Sequence, residues 1–468
     1  MAKRRIAITL LTFLLFIPLS SALSFDHSQF VPEGFKTGPD VTRFCLKCHR
    51  KEAEEFIKTP HWRWKGPPRL IEGLEGSKEE YGKINLLNNY CISVQGGPNW
   101  QNLEHCAECH PGYGFTGKNF DFSDITRIDC LICHEQTGFY ERGDGAVPVF
   151  PVKGYEERLL SRSAKSVGKP GRKNCGSCHF YGGSGDGVKH GDLDSSLVSP
   201  SRELDVHMSP EGKNMACQDC HRTKNHRISG ASTLLATFDG RVFCEDCHGN
   251  EPHSGNTSKG KTLNKHTSRV ACQSCHIPFF ARELPTQISW DWSKVGKDIT
   301  PSDEYGRETF RKNQGSFRWG KNLIPTYTWF SGKIKRYLKG ERIKDPEKPV
   351  YISIPVGSRD DPRSKIYPFK IHKTRQPMDS KYGYLLIPHL VKGLWKHLDW
   401  ERALVKGAEG SGLPFSGSFE FVTTLEYGNL NHQVAPKERA LRCKDCHSPG
   451  GRLDWNALGY PGDPMKAE

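Results

Sequence analysis

The chain of 468 residues carries a formal net charge of +14, contains 17 cysteines and is only 35% hydrophobic. This composition excludes a protein that crosses the membrane many times, because each crossing needs a long apolar segment. The chain is also poor in apolar side chains for a core of this size. We therefore expect another apolar group to supply part of the core volume.

The N-terminus has the features of a secretory signal peptide. Basic residues at positions 3–5 precede an apolar stretch over 6–19, and Ala22-Leu23-Ser24 offers a cleavage site before Phe25. The apolar stretch is short for a membrane span, although an uncleaved anchor stays open as an alternative. We expect residues 1–24 to be removed, and the mature chain to be periplasmic and not integral to the membrane.

Sixteen of the cysteines fall in eight copies of C-x-x-C-H, the pattern of covalent c-type heme attachment. On a helical turn, residues i and i+3 share one face, so two thiols reach the two vinyl groups of one porphyrin and the next histidine becomes the proximal iron ligand. Zinc sites and disulfides do not require that histidine, which all eight copies have. In chain order, motifs 1 to 8 carry the cysteine pairs Cys45/Cys48, Cys106/Cys109, Cys130/Cys133, Cys175/Cys178, Cys217/Cys220, Cys244/Cys247, Cys272/Cys275 and Cys443/Cys446. Their proximal histidines are His49, His110, His134, His179, His221, His248, His276 and His447.

Heme attachment also changes the meaning of the positive charge. Each heme brings two propionates, so eight hemes add a charge of about −16 and offer partners to the lysines and arginines. We therefore expect a nearly neutral holoprotein that does not bind nucleic acid.

The motifs divide the chain into two parts. Residues 25–276 hold seven motifs and form the predicted heme-rich core, whereas residues 277–468 hold a long insert and the eighth motif. We expect a mainly α multiheme cytochrome c fold with much irregular loop and a few short β strands, wrapped around a heme stack. In the insert, residues 348–355 predict a β segment and residues 388–405 an amphipathic helix. We interpret the aromatic runs at 290–292 and 317–319 as core.

Each iron needs a sixth ligand, and histidine is the commonest one in multiheme electron carriers. Twelve histidines lie outside the motifs, and their spacing favours eight of them as distal ligands. The better candidates are His207, His226, His253, His266 and His432, and the weaker ones are His61, His190 and His372. The other four, His27, His105, His389 and His397, are interpreted as surface or core residues.

The seventeenth cysteine is Cys91, just upstream of motif 2. An unpaired thiol is unusual in an exported protein. From its chemistry alone, this thiol is as consistent with a buried, inert side chain as with a reactive one.

The eight motifs, together with the segments NNYCIS (88–93), GDGVKHGDLD (185–194) and KIHKTRQP (370–377), resemble the octaheme tetrathionate reductase family over essentially the whole mature chain. The resemblance implies seven bis-histidine hemes and one active-site heme at motif 2. That heme is implied to be held by Cys106, Cys109 and His110, with Lys189 as its distal ligand. Cys91 and Asn88 are implied to lie in the same pocket. Calcium near a heme edge is a further implication, although no loop in the sequence specifies it.

The resemblance implies a reductase that receives electrons from a quinol-linked or small cytochrome donor. Its substrate would be a small anion such as tetrathionate or a related sulfur or nitrogen species, including nitrite and hydroxylamine. A pure electron-transfer cytochrome with every heme bis-histidine is the alternative. An oxidoreductase that oxidises hydroxylamine or hydrazine ranks third, because no tyrosine in the sequence can be assigned to the heme cross-link that such enzymes use.

Overall fold

The computed structural model of the chain describes residues 26–92, 102, 107–115, 119–230 and 240–466. The predicted signal peptide, Cys106 and His105 lie outside the described residues, so the fold does not bear on them. Among the described residues, no helix combines the length and the apolar composition needed to cross a membrane.

The helices are mostly short, and many of them carry a heme motif. The α-helices are α1 (Gly38–Phe56), α2 (Pro60–Arg63), α3 (Leu131–His134), α4 (Glu156–Lys165), α5 (Arg172–His179), α6 (Cys217–Cys220), α7 (Glu245–His248), α8 (Ser258–His266), α9 (Cys272–His276), α10 (Trp395–His397), α11 (Trp400–Ser411) and α12 (Cys443–Cys446). Short 3₁₀ turns occur at His27–Gln29, Ala107–Cys109, Ile125–Arg127, Asp144–Ala146, Ser195–Val198, Trp292–Lys294 and Lys437–Arg439.

The motif turns form for local reasons. At motif 5 the amide of His221 donates to the carbonyl of Cys217 over 2.8 Å, which closes one α-turn between the first cysteine and the histidine. The aspartate before the second cysteine, Asp219, accepts from the amide of Ala216 over 2.7 Å and fixes the start of the turn. Motif 8 repeats this arrangement with Asp445. The predicted helical turn of the motif is therefore present.

The insert contains far more β structure than the sequence predicts. The fourteen described strands are β1 (Glu141–Gly143), β2 (Val147–Val149), β3 (Thr223–Lys224), β4 (Arg227–Ile228), β5 (Thr286–Asp291), β6 (Asp303–Glu304), β7 (Arg307–Glu308), β8 (Phe310–Arg311), β9 (Gly315–Gly320), β10 (Thr326–Phe330), β11 (Lys333–Arg336), β12 (Val350–Val356), β13 (Lys365–Asp379) and β14 (Phe419–Asn429). Eight of them form one mixed sheet in the order β11-β12-β14-β13-β5-β9-β8, with β10 also paired to β13. The expectation of only a few short strands was wrong, since β13 alone has 15 residues.

The centre of this sheet buries polar side chains. Strands β13 and β14 run antiparallel, with Thr374 opposite Thr424 and His372 opposite Glu426. Alternate residues of β13, namely Lys370, His372, Thr374 and Gln376, are buried. Buried and more exposed side chains therefore alternate along this part of β13, as expected for a strand, but the buried ones are polar. A search for alternating apolar residues overlooks such a strand.

Two smaller predictions in the insert had different outcomes. The β segment predicted at 348–355 is confirmed by β12. The helix predicted at 388–405 is interrupted, because Leu398 takes a left-handed φ of 54° after α10 and Asp399 caps a new helix, α11. A π-helical turn at Leu390–Leu394 precedes α10.

The aromatic runs lie in the core, as predicted. Trp290 and Trp292 stack with ring centroids 4.4 Å apart and pack with Phe317. The same cluster contains Tyr90 and Cys91. The insert therefore provides the apolar wall against which the Cys91 loop packs.

Candidate heme sites and active site

Pairs of histidine rings lie at the spacing that one iron atom requires. Two imidazoles bound to opposite sides of one iron, through bonds of about 2.0 Å, have ring centroids about 6 Å apart. Five motif histidines face a second histidine at this distance. The pairs are His49–His27 at 6.1 Å, His179–His61 at 6.1 Å, His221–His432 at 6.3 Å, His248–His207 at 6.0 Å and His447–His266 at 6.2 Å. The residues present therefore fit bis-histidine heme.

Two further motif histidines each have a second histidine nearby that lowers their pKa. Burial lowers the pKa of His134, and His226 contributes to the same shift. Burial likewise lowers the pKa of His276, with His253 as the first electrostatic contributor. Such shifts keep the imidazoles neutral, which is the form that binds a metal.

The attachment cysteines differ in exposure, although the sequence treats all eight pairs alike. Cys48 of motif 1 is exposed, whereas its partner Cys45 is half-buried and contacts motif 3. The reason is local, because residues 47–50 of α1 are all exposed. The fold therefore leaves Cys48 exposed, although residues that hold a cofactor are usually buried. Its thioether link stays a prediction that depends on the motif and on the His49–His27 pair beside it. The cysteines that share this exposure are Cys220, Cys247 and Cys443.

Contacts between motif thiols give the order in which the motifs adjoin. With the expected thioether links at these sulfurs, contact between two motifs would place two porphyrin edges side by side. Thiol hydrogen bonds join Cys45 to Cys130, Cys109 to Cys178, Cys175 to Cys217 and Cys244 to Cys272. Weaker electrostatic effects link Cys133 with Cys175, Cys247 with Cys220 and Cys446 with Cys275. The motifs thus form the series 1–3–4–5–6–7–8, with motif 2 adjoining motif 4.

Motif 2 has a different environment, in which the Nε2 atom of His110 lies 2.7 Å from the carbonyl oxygen of Trp62. In the described part of the chain, no histidine ring faces His110, His134 or His276 at the spacing of the five pairs. The His110 ring stacks on Phe115 with centroids 3.9 Å apart, and Trp62 and Trp64 also pack against it. Burial lowers the pKa of His110 to about 3, which keeps it neutral.

Lys189 approaches motif 2 from the loop after α5. Burial lowers its pKa to about 8; Glu426 opposes this shift, and Lys83 and Arg336 add to it. The thiol of Cys109 also acts on the pKa of Lys189, so the amine lies near motif 2. A lysine binds iron only as the neutral amine, and this environment shifts Lys189 towards that form.

The backbone of Lys189 is held by two donors that the sequence analysis did not identify. The hydroxyl of Tyr90 donates to the Lys189 carbonyl over 3.0 Å. The ammonium of Lys370 donates to the same carbonyl over 3.1 Å and to that of Val188 over 2.8 Å. Lys370 also donates to the hydroxyl of Thr286 over 2.6 Å. The lysine-bearing loop, the Cys91 loop and β13 are thereby fixed to one another.

Cys91 is presented by a turn that Asn88 closes. The side-chain oxygen of Asn88 accepts from the backbone amides of Tyr90 and Cys91, both over 2.9 Å. The Cys91 sulfur lies 3.9 Å from the Ser184 hydroxyl oxygen, in the loop that bears Lys189. The structure therefore brings Cys91, Asn88 and Lys189 together, with Asn88 shaping the turn.

Asn89 fastens this turn to the polar face of the sheet. Its side-chain amide donates to the His372 carbonyl over 2.7 Å, and its side-chain oxygen accepts from Gln376 and Thr424, also over 2.7 Å. Its backbone amide donates to Glu426 over 2.7 Å. The buried polar residues of β13 and β14 thus serve as the platform of the candidate site.

The charges around the site are mainly positive. Lys189, Lys370 and Arg336 are balanced by Glu426, whose carboxylate lies 3.6 Å from Arg336. Lys83 adds a further cation, 3.9 Å from the centre of the Trp64 ring. An excess of cations near a buried site favours anionic ligands.

The remaining predicted histidines lie elsewhere. In the described ring pairs, neither His190 nor His372 faces a motif histidine, whereas His27, interpreted from sequence as a surface or core residue, does. His372 stacks on Tyr90 at 4.3 Å, and its ring nitrogens lie 3.1 Å from the Gln287 side-chain oxygen and 3.2 Å from the Thr374 hydroxyl. It belongs to the polar platform. His389 is also buried, and His397 is half-buried.

The described residues offer no oxygen-rich cluster for calcium. The one group close enough to hold an ion there is Cys244, Glu245 and Cys272. Two of its members are heme-attachment cysteines, whereas calcium prefers six to eight oxygen ligands.

Comparison with known proteins gives the family. The family described as "Cytochrome c bacterial" matches residues 287–450. An uncharacterized protein of Archaeoglobus fulgidus is 25% identical over 247 residues, which cover 43% of this chain and 80% of the relative. The crystal structure of octaheme cytochrome c from Shewanella oneidensis is 40% identical, with a TM-score of 0.84, over 95% of this chain and 98% of that chain.

The chain belongs to the octaheme cytochrome c family. It is therefore a multiheme c-type cytochrome that carries heme c. Within this octaheme cytochrome, sequence reasoning identified Cys91, Asn88 and Lys189 but not Lys370, Arg336 or Glu426. For Lys370, the sequence feature that could have revealed a buried strand is the alternation of polar residues in KIHKTRQP (370–377).

Replacing Lys370 with methionine tests whether its hydrogen bond to the Lys189 carbonyl positions Lys189. We expect Lys370→Met to change the electron paramagnetic resonance and visible spectra of one heme and to leave heme content unchanged. The reason is that the Lys189 carbonyl loses a buried donor, an interaction worth about 0.5–1.5 kcal/mol. Lys373→Met, on the exposed face of the same strand, is the matched control. A folded Lys370→Met variant with all heme signals unchanged would contradict this role.

Proposed function

We propose that this octaheme cytochrome is a periplasmic reductase with eight hemes, seven of them bis-histidine and one, at motif 2, ligated by His110 and Lys189. The single observation that carries the proposal is the contact of Cys91 with Ser184, in the loop that bears Lys189. The effect of the Cys109 thiol on the pKa of Lys189 supports the placement of that loop near motif 2. The five histidine pairs support the ligation of five of the other seven hemes, and the effects of His226 on His134 and of His253 on His276 support the remaining two. In this assignment His27 is a distal ligand, and His190 and His372 are not.

Electrons would reach the active site through motif 4. The thiol contact between Cys109 and Cys178 supports this step, because it makes motif 4 the neighbour of motif 2. Motif 4 also adjoins motifs 3 and 5, so electrons that enter near motif 1 or motif 8 converge on it. The donor is proposed to be a quinol-linked protein or a small cytochrome.

The substrate is proposed to be tetrathionate or a related sulfur or nitrogen species. In tetrathionate reduction, two electrons cleave the central S–S bond and give two thiosulfate ions. The thiolate of Cys91 is suited to attack one central sulfur, which expels the first thiosulfate. Two electrons then cleave the new S–S bond, releasing the second thiosulfate and restoring the thiolate. The cations Lys370, Arg336 and Lys83 favour entry of the dianion.

A second candidate function is electron transfer alone. The fit of so many histidine pairs to bis-histidine heme favours it, since such hemes have no open iron position. Resonance and optical spectra of the oxidised protein separate the two functions. A single heme with distinct ligation supports the reductase, and eight bis-histidine signatures support the carrier.

Replacing Cys91 with serine tests the sulfur chemistry. We expect Cys91→Ser to retain all hemes but to lower tetrathionate turnover at least a hundredfold, because a hydroxyl is a far weaker nucleophile than a thiolate, a loss of about 2.7 kcal/mol in transition-state stabilisation. Turnover is measured with tetrathionate, nitrite and hydroxylamine in parallel. Ser184→Ala, which removes the neighbouring hydroxyl and leaves the thiol, is the control. Full tetrathionate activity in Cys91→Ser would exclude the thiol from the reaction.

Replacing Lys189 with alanine tests the iron ligand. The expected result is a changed spectrum for one heme and unchanged spectra for the other seven, because only motif 2 loses its sixth ligand. Lys83→Ala removes a nearby cation without removing the proposed ligand and is expected to leave the ligation unchanged. If Lys189→Ala and the unaltered protein have identical spectra, the ligand is another residue.

A further inference from the structure

A buried carboxylate contacts the distal histidine of motif 5. One oxygen of Asp192 lies 3.2 Å from the Nδ1 atom of His432, whose ring faces His221. The same oxygen accepts from the backbone amides of Asn431 over 2.6 Å and His432 over 2.9 Å. Asp192 is only 1% exposed. Its charge therefore acts on the imidazole with little screening by solvent.

Two other candidate heme histidines have different partners at Nδ1. His134 has the Gly168 carbonyl 3.0 Å away, and His253 has the side-chain oxygen of Asn264 3.1 Å away, both neutral acceptors. In the described residues, the other carboxylate within hydrogen-bond distance of such a ring is Asp463, which lies 2.6 Å from His447 at motif 8. Glu52 and Glu55 lie 3.8 Å from His49 and His226, beyond that distance.

A carboxylate at Nδ1 has two consequences for an iron ligand. It fixes the tautomer so that Nε2 faces the metal, and it makes the imidazole a stronger electron donor. Both the donation and the nearby negative charge stabilise ferric heme relative to ferrous heme, which lowers the reduction potential. The carboxylate of Asp205 also raises the pKa of His432.

We propose that Asp192 is a positioning residue that lowers the reduction potential of the motif 5 heme. Without this carboxylate the motif 5 heme would be reduced more readily. The inference rests on the proposed heme ligation, but it is independent of which substrate is reduced.

Asp192→Asn tests the inference, because asparagine keeps an acceptor for the two backbone amides and removes the charge. Redox titration followed by visible and paramagnetic resonance spectra should show the midpoint potential of one heme rising. We expect at least a tenfold change in its ferric-to-ferrous ratio at fixed potential, or about 59 mV for one electron. Asp194→Asn is the matched control, since Asp194 is equally buried in the same segment but contacts Ser196 and Gln433.

A second variant separates charge from packing. Asp192→Glu keeps the charge and is expected to keep the low potential. An unchanged set of potentials in Asp192→Asn, an equal rise in Asp194→Asn, or an equal rise in Asp192→Glu would overturn the inference. These outcomes differ from failure of the proposed function, which would appear in the unaltered protein as an absence of bis-histidine signals or of turnover.

Discussion

Histidine pairs at the spacing of iron ligands join residues that are far apart in the sequence. His221 belongs to the heme-rich part of the chain, and its partner His432 comes from the end of the insert. His447 and His266 join the two parts a second time. In the proposed ligation, metal–nitrogen bonds at these positions would tie the insert to the core, and the porphyrins between the rings would supply apolar volume that the side chains lack. Short helices and irregular loops would then suffice, because the hemes would do much of the packing.

The mixed sheet positions the Cys91 turn. Its central strands bury Thr374, Gln376, Thr424 and Glu426, which would be costly without partners. Asn89 satisfies most of them and carries the Cys91 turn with it. Polar groups buried in this way fix a single position for the loop, because any shift leaves donors and acceptors unpaired. The sheet is thus a scaffold for reactive groups that reach it from the heme-rich part.

The sequence predicted the heme chemistry well because C-x-x-C-H is a local pattern, set by the geometry of one helical turn. That pattern does not reveal exposure, which is why Cys48 and Cys45 look equivalent in the sequence and differ in the fold. Cys91, Asn88 and Lys189 came from a family resemblance, and the structure brings them together.

Distal ligands were harder to predict, since pairing across an iron is not local. His27 had no motif beside it to mark it, whereas the weaker candidates His190 and His372 do not face a motif histidine in the described ring pairs. Strand β13 was missed because its buried face is polar, and Lys370 was missed with it.

Covalent attachment of heme at every motif is the central claim, because each ligand pair and each contact between motifs depends on it. Intact mass spectrometry of the mature protein tests it most directly. The expected mass is that of the processed chain plus eight hemes, which stay attached after denaturation because thioether bonds survive unfolding. The mass of the bare chain, or of a chain with fewer hemes after full expression of the attachment machinery, would contradict it.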